Sequence, residues 1–385
     1  MLPLTLADGS LYQRYTAYKK ISGNRDMDAK TSPDEQIGKS PKVKLDYPYE
    51  ESEAPEQGTV KQVSDGVFWV RMSLPFSLQW INLWLLRDHD GWVVVDTGMG
   101  MEETREHWRT IFDTVLEGQP VTRVIVTHMH PDHVGLAGWI SRKFDAPLHM
   151  SQLEYLMCRT LVGDTGRKAP EAGIRFFKAS GWDDDAIQSY KDRFGRFGLA
   201  VSRLPDSYER LSDGDVLSID GSDWQVLVGS GHSPEHACLF NAEKNLFISG
   251  DQLLPRISSN VSVHPTEPNA DPLTDWIESC ARLRDALPED VLVLPAHNLP
   301  FRGAQARLQA LIDGHEKSLR RLLRRLDEPK TVPECFGAIF VREISPDILS
   351  LATGETLAHL NCLIGRGQVD RTLGDDGVWR YERVN

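Results

Sequence analysis

One stretch, Thr127-His128-Met129-His130-Pro131-Asp132-His133, constrains this chain more than any other. It follows the apolar run Val124-Ile125-Val126, which reads as a buried strand, and it precedes Val134 to Phe144, which reads as a helix. The turn between them carries three imidazoles and a carboxylate. His128 and His130 sit two apart in extended backbone, so their rings can converge on one cation. Asp132 and His133 enter the helix and can face a second cation beside it. Neutral imidazole and carboxylate are donors that zinc accepts in sites with room for water. A lone histidine pair is an ordinary surface or core feature. Four donors packed this densely after a strand point to a metal site.

The same strand-end placement recurs along the chain. Trp92-Val93-Val94-Val95 ends at Asp96-Thr97-Gly98, which is either a plain turn or a carboxylate that orients a metal ligand from behind. Trp224 to Val228 leads to Gly231-His232-Ser233-Pro234-Glu235-His236. Asn245 to Ser249 leads to Gly250-Asp251, and Val291 to Leu294 leads to Pro295-Ala296-His297. Strand ends at His232, Asp251 and His297 repeat the logic of the first turn, which coincidence explains poorly.

The bulk numbers frame this site. At 385 residues the chain suits a large catalytic domain with a smaller one attached. Net charge −13 argues against polyanion binding as the main activity. The five cysteines are scattered and form no CxxC, which predicts reduced thiols in a cytoplasmic protein. No apolar run long enough for a transmembrane helix is present.

Residues 1–58 are polar and read as an extended arm, with Met27 as a second candidate start. Residues 59–303 carry the strands and the metal donors, with a helical insertion at 151–200. Its aromatics, among them Tyr155, Phe176, Phe177 and Trp182, read either as core between helices or as a lid over the site. The loop Ser73 to Trp80 is unusually apolar, and Phe76 within it either lines a substrate cleft or packs in the core. Residues 304–385 read as three helices and a terminal hairpin, a winged-helix-like module. Lys and Arg balance Asp and Glu at 11 each over 315–385, so the module lacks the basic excess of a DNA reader. Its cluster Arg320, Arg321, Arg324 and Arg325 reads as a solvated helix face.

The pattern His128-x-His130-x-Asp132-His133, then His232, Asp251 and His297, with Asp96-Thr97-Gly98 upstream, resembles that of the metallo-β-lactamase-fold hydrolases. The resemblance covers roughly residues 59–303 and looks nearest to the glyoxalase II-type branch. The tail is similar to the winged-helix domain appended to some members. The resemblance implies an α+β fold, an αββα sandwich with its ligands on loops at one edge of two facing sheets. It implies His128, His130 and His232 on a first metal, Asp132, His133 and His297 on a second, and Asp251 bridging. Asp96 and His236 then fall behind the ligands or toward substrate. Arg256 lies in a segment, Ser249 to Asn260, that looks like a subfamily signature or else a structural loop.

Two Zn2+ are the cofactors so implied, with iron or manganese left open. The implied activity is hydrolysis of a thioester, ester or lactone by a metal-bridging hydroxide, with Asp132 as the group that relays the proton. Three departures narrow it. Asp251 stands where zinc-dependent lactamases of the commonest type have cysteine, which argues against antibiotic hydrolysis. His130 stands where flavo-diiron oxidoreductases have glutamate. Pro234-Glu235-His236 replaces the more usual Pro-Gly-His. A phosphodiesterase or nuclease on the same scaffold and an iron-dependent persulfide dioxygenase-like enzyme are the alternatives. The expected partner is a small-molecule substrate, with no nucleic acid and no membrane, and a homodimer is left open.

Overall fold

Strands that are apolar on both faces need cover on both faces, and this chain supplies it in four layers. The structure is a computed structural model that describes residues 43–384 apart from Ser77 and Arg342. Most of the N-terminal arm, residues 1–42, lies outside the described residues. The arm's last part packs on the body, where Asp46 bridges to Arg302 and the Tyr47 ring lies 6.5 Å from that of Phe301.

The first sheet holds β1 (Val60–Ser64), β2 (Val67–Ser73), β3 (Trp80–Asp88), β4 (Gly91–Val95), β5 (Val121–Ile125), β6 (Leu148–Ser151) and β7 (Glu209–Leu211), in that spatial order. The strands β1 to β4 are antiparallel, and β4 to β7 run parallel. The second sheet holds β8 (Val216–Ile219), β9 (Ser222–Gly229), β10 (His236–Asn241), β11 (Leu246–Gly250) and β12 (Leu292–Pro295), ordered β12-β11-β10-β9-β8. Alternation along each strand sorts the side chains. In β4, Val93 and Val95 join Trp69, Trp84, Trp224, Val226 and Ile248 between the sheets. Val94 points the other way, onto α1 (Glu102–Thr114), where Trp108 and Ile111 are buried.

The expected helix over Val134 to Phe144 is two pieces, α2 (Pro131–Val134) and α3 (Ala137–Phe144). The break lies at Gly135, whose added Cβ would meet three backbone atoms within 2.5 Å. The insertion forms α4 (Gln152–Gly163), α5 (Glu171–Ala179) and α6 (Asp184–Arg193). Phe176, Phe177 and Trp182 are buried in one cluster with Trp276 and Leu357. Trp182 also donates through Nε1 to Thr353 at 2.9 Å. These aromatics are core between helices.

Helix α7 (Pro272–Ala286) and α8 (Ala304–Leu323) cover the outer face of the second sheet. Then come α9 (Val332–Ile339), α10 (Leu349–Gly365) and the hairpin of β13 (Val369–Leu373) and β14 (Trp379–Arg383). In the arginine cluster, Arg320, Arg324 and Arg325 are exposed, as a solvated face should be. Arg321 departs from that reading, because its guanidinium donates to the carbonyls of Ala338 and Ile339 at the end of α9. No helix among the described residues is long and apolar enough to cross a membrane.

The two sheets are tied together at one edge by Asn82 on β3. Its Oδ1 accepts from Trp69 Nε1 at 2.8 Å, and its Nδ2 donates to Pro295 at 2.9 Å and Asn298 at 2.7 Å, across the sandwich. Asn82→Ala strands these buried partners at about 1–3 kcal/mol for each group left unpaired. The expected outcome is a lowered urea midpoint with an unchanged slope. An unchanged midpoint would show that the amide bridge carries no stability.

Candidate metal centre

Strands running in one direction deliver their following loops to one end of the sandwich. In the first sheet these are β4 and β5, and in the second β9, β11 and β12. Asp96, the turn of His128 to His133, His232, Asp251 and His297 all follow such ends. His130 sits at the N-cap of α2 with Pro131 next, so the chain turns from extended to helical between the two donor pairs.

The seven donors fall into two groups whose donor atoms lie within 4.8 Å of one another. One is His128, His130, His232 and Asp251; the other is Asp132, His133 and His297. Asp251 faces both. Its Oδ2 lies 3.4 Å from His232 Nε2, and its Oδ1 lies 3.5 Å from both His133 Nε2 and His297 Nε2. Asp132 Oδ2 is 3.5 Å from His297 Nε2 and 3.8 Å from His133 Nε2. These separations exceed those of good hydrogen bonds and suit ligands arranged around a common ion.

The hydrogen-bond accounting agrees. His133 Nε2, His232 Nε2, His297 Nε2 and Asp251 Oδ1 are buried without a partner. Stranded polar atoms are costly, and here they converge on the points a cation would fill. The fit to divalent metal is therefore good on donor type, number and orientation.

Behind four of the five histidine donors stands a group that fixes the ring. His133 Nδ1 is 2.7 Å from Asp96 Oδ2, His232 Nδ1 is 2.8 Å from the Asn260 carbonyl, and His297 Nδ1 is 2.8 Å from the Trp80 carbonyl. A carbonyl only accepts, so Nδ1 of His232 and of His297 carries the proton and Nε2 presents its lone pair. Thr127 supplies the corresponding partner for His128. Its hydroxyl donates to Asp96 at 2.8 Å, which leaves its oxygen as the acceptor for His128 Nδ1 at 3.1 Å. Asp96 holds this network from a left-handed backbone, φ 58°.

The electrostatics show a centre short of positive charge. Burial drives His128 well below its usual value and His130 to about 3, aided by neighbouring imidazoles. Burial acts the same way on His133 and His297, yet carboxylates outweigh it. Asp96, Asp251 and Asp132 lift His133 well above the ordinary value, and Asp251 and Asp132 lift His297 to about 9. Buried carboxylates recruit protons onto imidazoles where cations can take over.

His236 belongs to neither ligand group. Its ring stacks on His128 at 4.7 Å, and its Nε2 accepts from the Asp251 N–H at 3.1 Å, so it anchors the backbone of Asp251. Tyr155 donates to the Pro205 carbonyl at 2.8 Å and stacks on Tyr208. Arg256 is exposed, with its guanidinium 5.8 Å from the Tyr47 ring, which its neighbours explain as surface packing. Phe76 is 40% exposed on the β2–β3 turn, whose far end carries the Trp80 carbonyl that holds His297.

Two supports escaped the sequence reading. Glu154, on the buried face of α4, accepts from the Met129 N–H and the Glu235 N–H, each at 2.9 Å, and so joins the two histidine-bearing loops. Its burial raises its pKa. Glu355 of α10 accepts from Asn260 Nδ2 at 2.9 Å and Val261 N–H at 2.8 Å, holding the segment whose carbonyl orients His232. A lone glutamate in a helix gives no local sign of either task.

A solved β-lactamase domain protein from Burkholderia ambifaria is 39% identical, with TM-score 0.79, covering 88% of this chain and 98% of that one. The probable metallo-hydrolase YqjP of Bacillus subtilis is 25% identical over 78% of this chain and 92% of its own length. The human acyl-coenzyme A thioesterase MBLAC2 is 24% identical over 62% of this chain and 80% of its own. Residues 319–384 match the metallo-beta-lactamase-like C-terminal domain. The profile of the metallo-beta-lactamase superfamily matches residues 81–297, more than half of the chain and the whole span of the donors, and the chain belongs to that superfamily.

Proposed function

We propose that this protein is a dinuclear zinc hydrolase of a carbonyl ester-type bond, with a carboxylic thioester as the first substrate class. The observation that carries the reading is Asp251, whose two oxygens face separate donor groups. When bound, two divalent cations supply an acidified water and polarise the scissile carbonyl. The donor set is rich in imidazole, which suits zinc and also accepts iron. A thioesterase named among the relatives, MBLAC2, supports a sulfur leaving group, which needs no strong acid to depart.

The chain's own residues perform the remaining work. Asp96, Asn260, Trp80 and Thr127 hold the rings in the tautomer that faces inward. Asp132 is the most open of the three centre carboxylates, with 14% of its side chain exposed against 4% for Asp96 and 11% for Asp251. It takes the proton released as water attacks and returns it toward the leaving group. Phe76, on the exposed turn that ends at Trp80, offers an apolar contact to the acyl portion. A small-molecule substrate in the cytoplasm fits the five buried free cysteines and the charge-balanced tail.

Elemental analysis paired with an assay panel decides between this and other chemistry. At least two zinc per chain with turnover of acyl-CoA or other thioesters is expected. Turnover of bis-nitrophenyl phosphate alone would replace the reading with a phosphodiesterase. One iron per chain without hydrolysis would replace it with an oxygenase.

Two substitutions test the assignments. Asp251→Ala is expected to release metal and bring turnover to background while the far-UV circular dichroism stays native. Full activity at unchanged metal content would sink the bridge. Asp96→Asn keeps the shape but removes the charge behind His133, and metal affinity should fall by about 10–100-fold. An unchanged affinity would reduce Asp96 to a turn residue.

A further inference from the structure

A second concentration of metal-type donors lies away from the sheet edge, inside the helical layer. From Ala352 to Leu363, α10 is buried on all sides, yet it carries Thr353, Glu355, Thr356, His359 and Asn361 among its apolar residues. A helix buried all round is ordinarily apolar all round, so each polar side chain needs a partner. Thr353 meets Trp182, and Asn361 donates to the carbonyls of Pro268 and Ala270. One oxygen of Glu355 takes Asn260 and Val261.

His359 is different. Its Nδ1 lies 2.8 Å from the carbonyl of Glu355 one turn back, so Nδ1 holds the proton and Nε2 presents a lone pair. That lone pair faces His315 Nδ1 on α8 at 3.5 Å. The other nitrogen of His315 lies 3.4 Å from the Ser258 hydroxyl, which can take its proton. The donor atoms of His315, Glu355 and His359 all lie within 4.8 Å of one another, and all three residues are buried. Burial pushes His315 to about 3 and His359 to about 4, so both rings are neutral.

We propose that His315, Glu355 and His359 form a third metal site, a structural one that takes Zn2+ or a similar transition cation. Two neutral imidazoles and a carboxylate are three ligands of a tetrahedral zinc site, and a water completes it. The 3.5 Å between these two nitrogens is close to the nitrogen-to-oxygen separations of 3.4 and 3.5 Å between donors at the sheet edge. The carbonyl that fixes His359 plays the part that Asn260 and Trp80 play there. A cation at this point also pins Glu355, and through Asn260 it braces His232.

The test counts metal on the full chain. Protein stripped with a chelator is reloaded with Zn2+, freed of excess by gel filtration, and analysed for zinc per chain. About three are expected in the wild type, about two in His359→Gln, and about one in Asp251→Ala. Reloading Asp251→Ala with Co2+ should give the visible absorption of a tetrahedral site. Two zinc in the wild type, or three retained in His359→Gln, would overturn the proposal and leave a hydrogen-bond chain from Ser258 to the Glu355 carbonyl. Should His359→Gln fail to fold, His315→Asn replaces it, and the wild-type count remains decisive. One zinc in the wild type, kept in Asp251→Ala and lost in His359→Gln, would uphold this site and refute the dinuclear centre.

Discussion

Buried negative charge is the constraint on which the rest of this structure depends. Asp96, Asp132 and Asp251 each come within 4 Å of the His133 ring, in a place largely closed to water. Burial alone would favour their neutral forms. Instead Asp132 and Asp251 are held below the ordinary carboxylate range, against that burial, by His133 and His297. Five histidines and two aspartates crowd onto loops that would otherwise repel or collapse, and bound cations would resolve both problems at once. The αββα scaffold supplies what such loops lack, a rigid frame in which apolar strands on either side fix where each loop begins.

That frame is not only hydrophobic. Hydrogen bonds between groups distant in the chain register one sheet against the other near the donors. The Asn82 amide reaches Pro295 and Asn298, the Ala237 N–H reaches the Thr127 carbonyl, and Glu154 joins the Met129 and Glu235 backbones. Gly250, at φ 49°, lets His236 approach; a Cβ there would sit 2.5 Å from that ring. The ligands are therefore placed by partners contributed from both halves of the sandwich.

This division explains what could be read in the sequence. Strand-end histidines and aspartates announce themselves, because a polar donor directly after an apolar run is a local pattern. The helical insertion and the three helices and hairpin of the tail were visible for the same reason, through periodicity. The Asn260 and Trp80 carbonyls were not visible, since every residue has one and only the tertiary fold selects it. Glu154 and Glu355 were hidden because a single glutamate in a helix looks like surface. Tyr155, an aromatic that the sequence leaves open as core or lid, has its hydroxyl on the Pro205 carbonyl and its ring on Tyr208. The Arg256 guanidinium lies over the Tyr47 ring.

The contact between Glu355 and the Asn260 segment bears on modularity. The donors of the candidate centre at the sheet edge end at His297, and the helix that steadies one of them begins more than fifty positions later. A chain cut after the last ligand would keep every donor and lose the brace on His232. The inheritable unit is accordingly larger than the motif, and recombination that exchanged the tail would have to bring a carboxylate to the same place. In a protein like this, an appended segment is retained as part of the instrument rather than as its attachment.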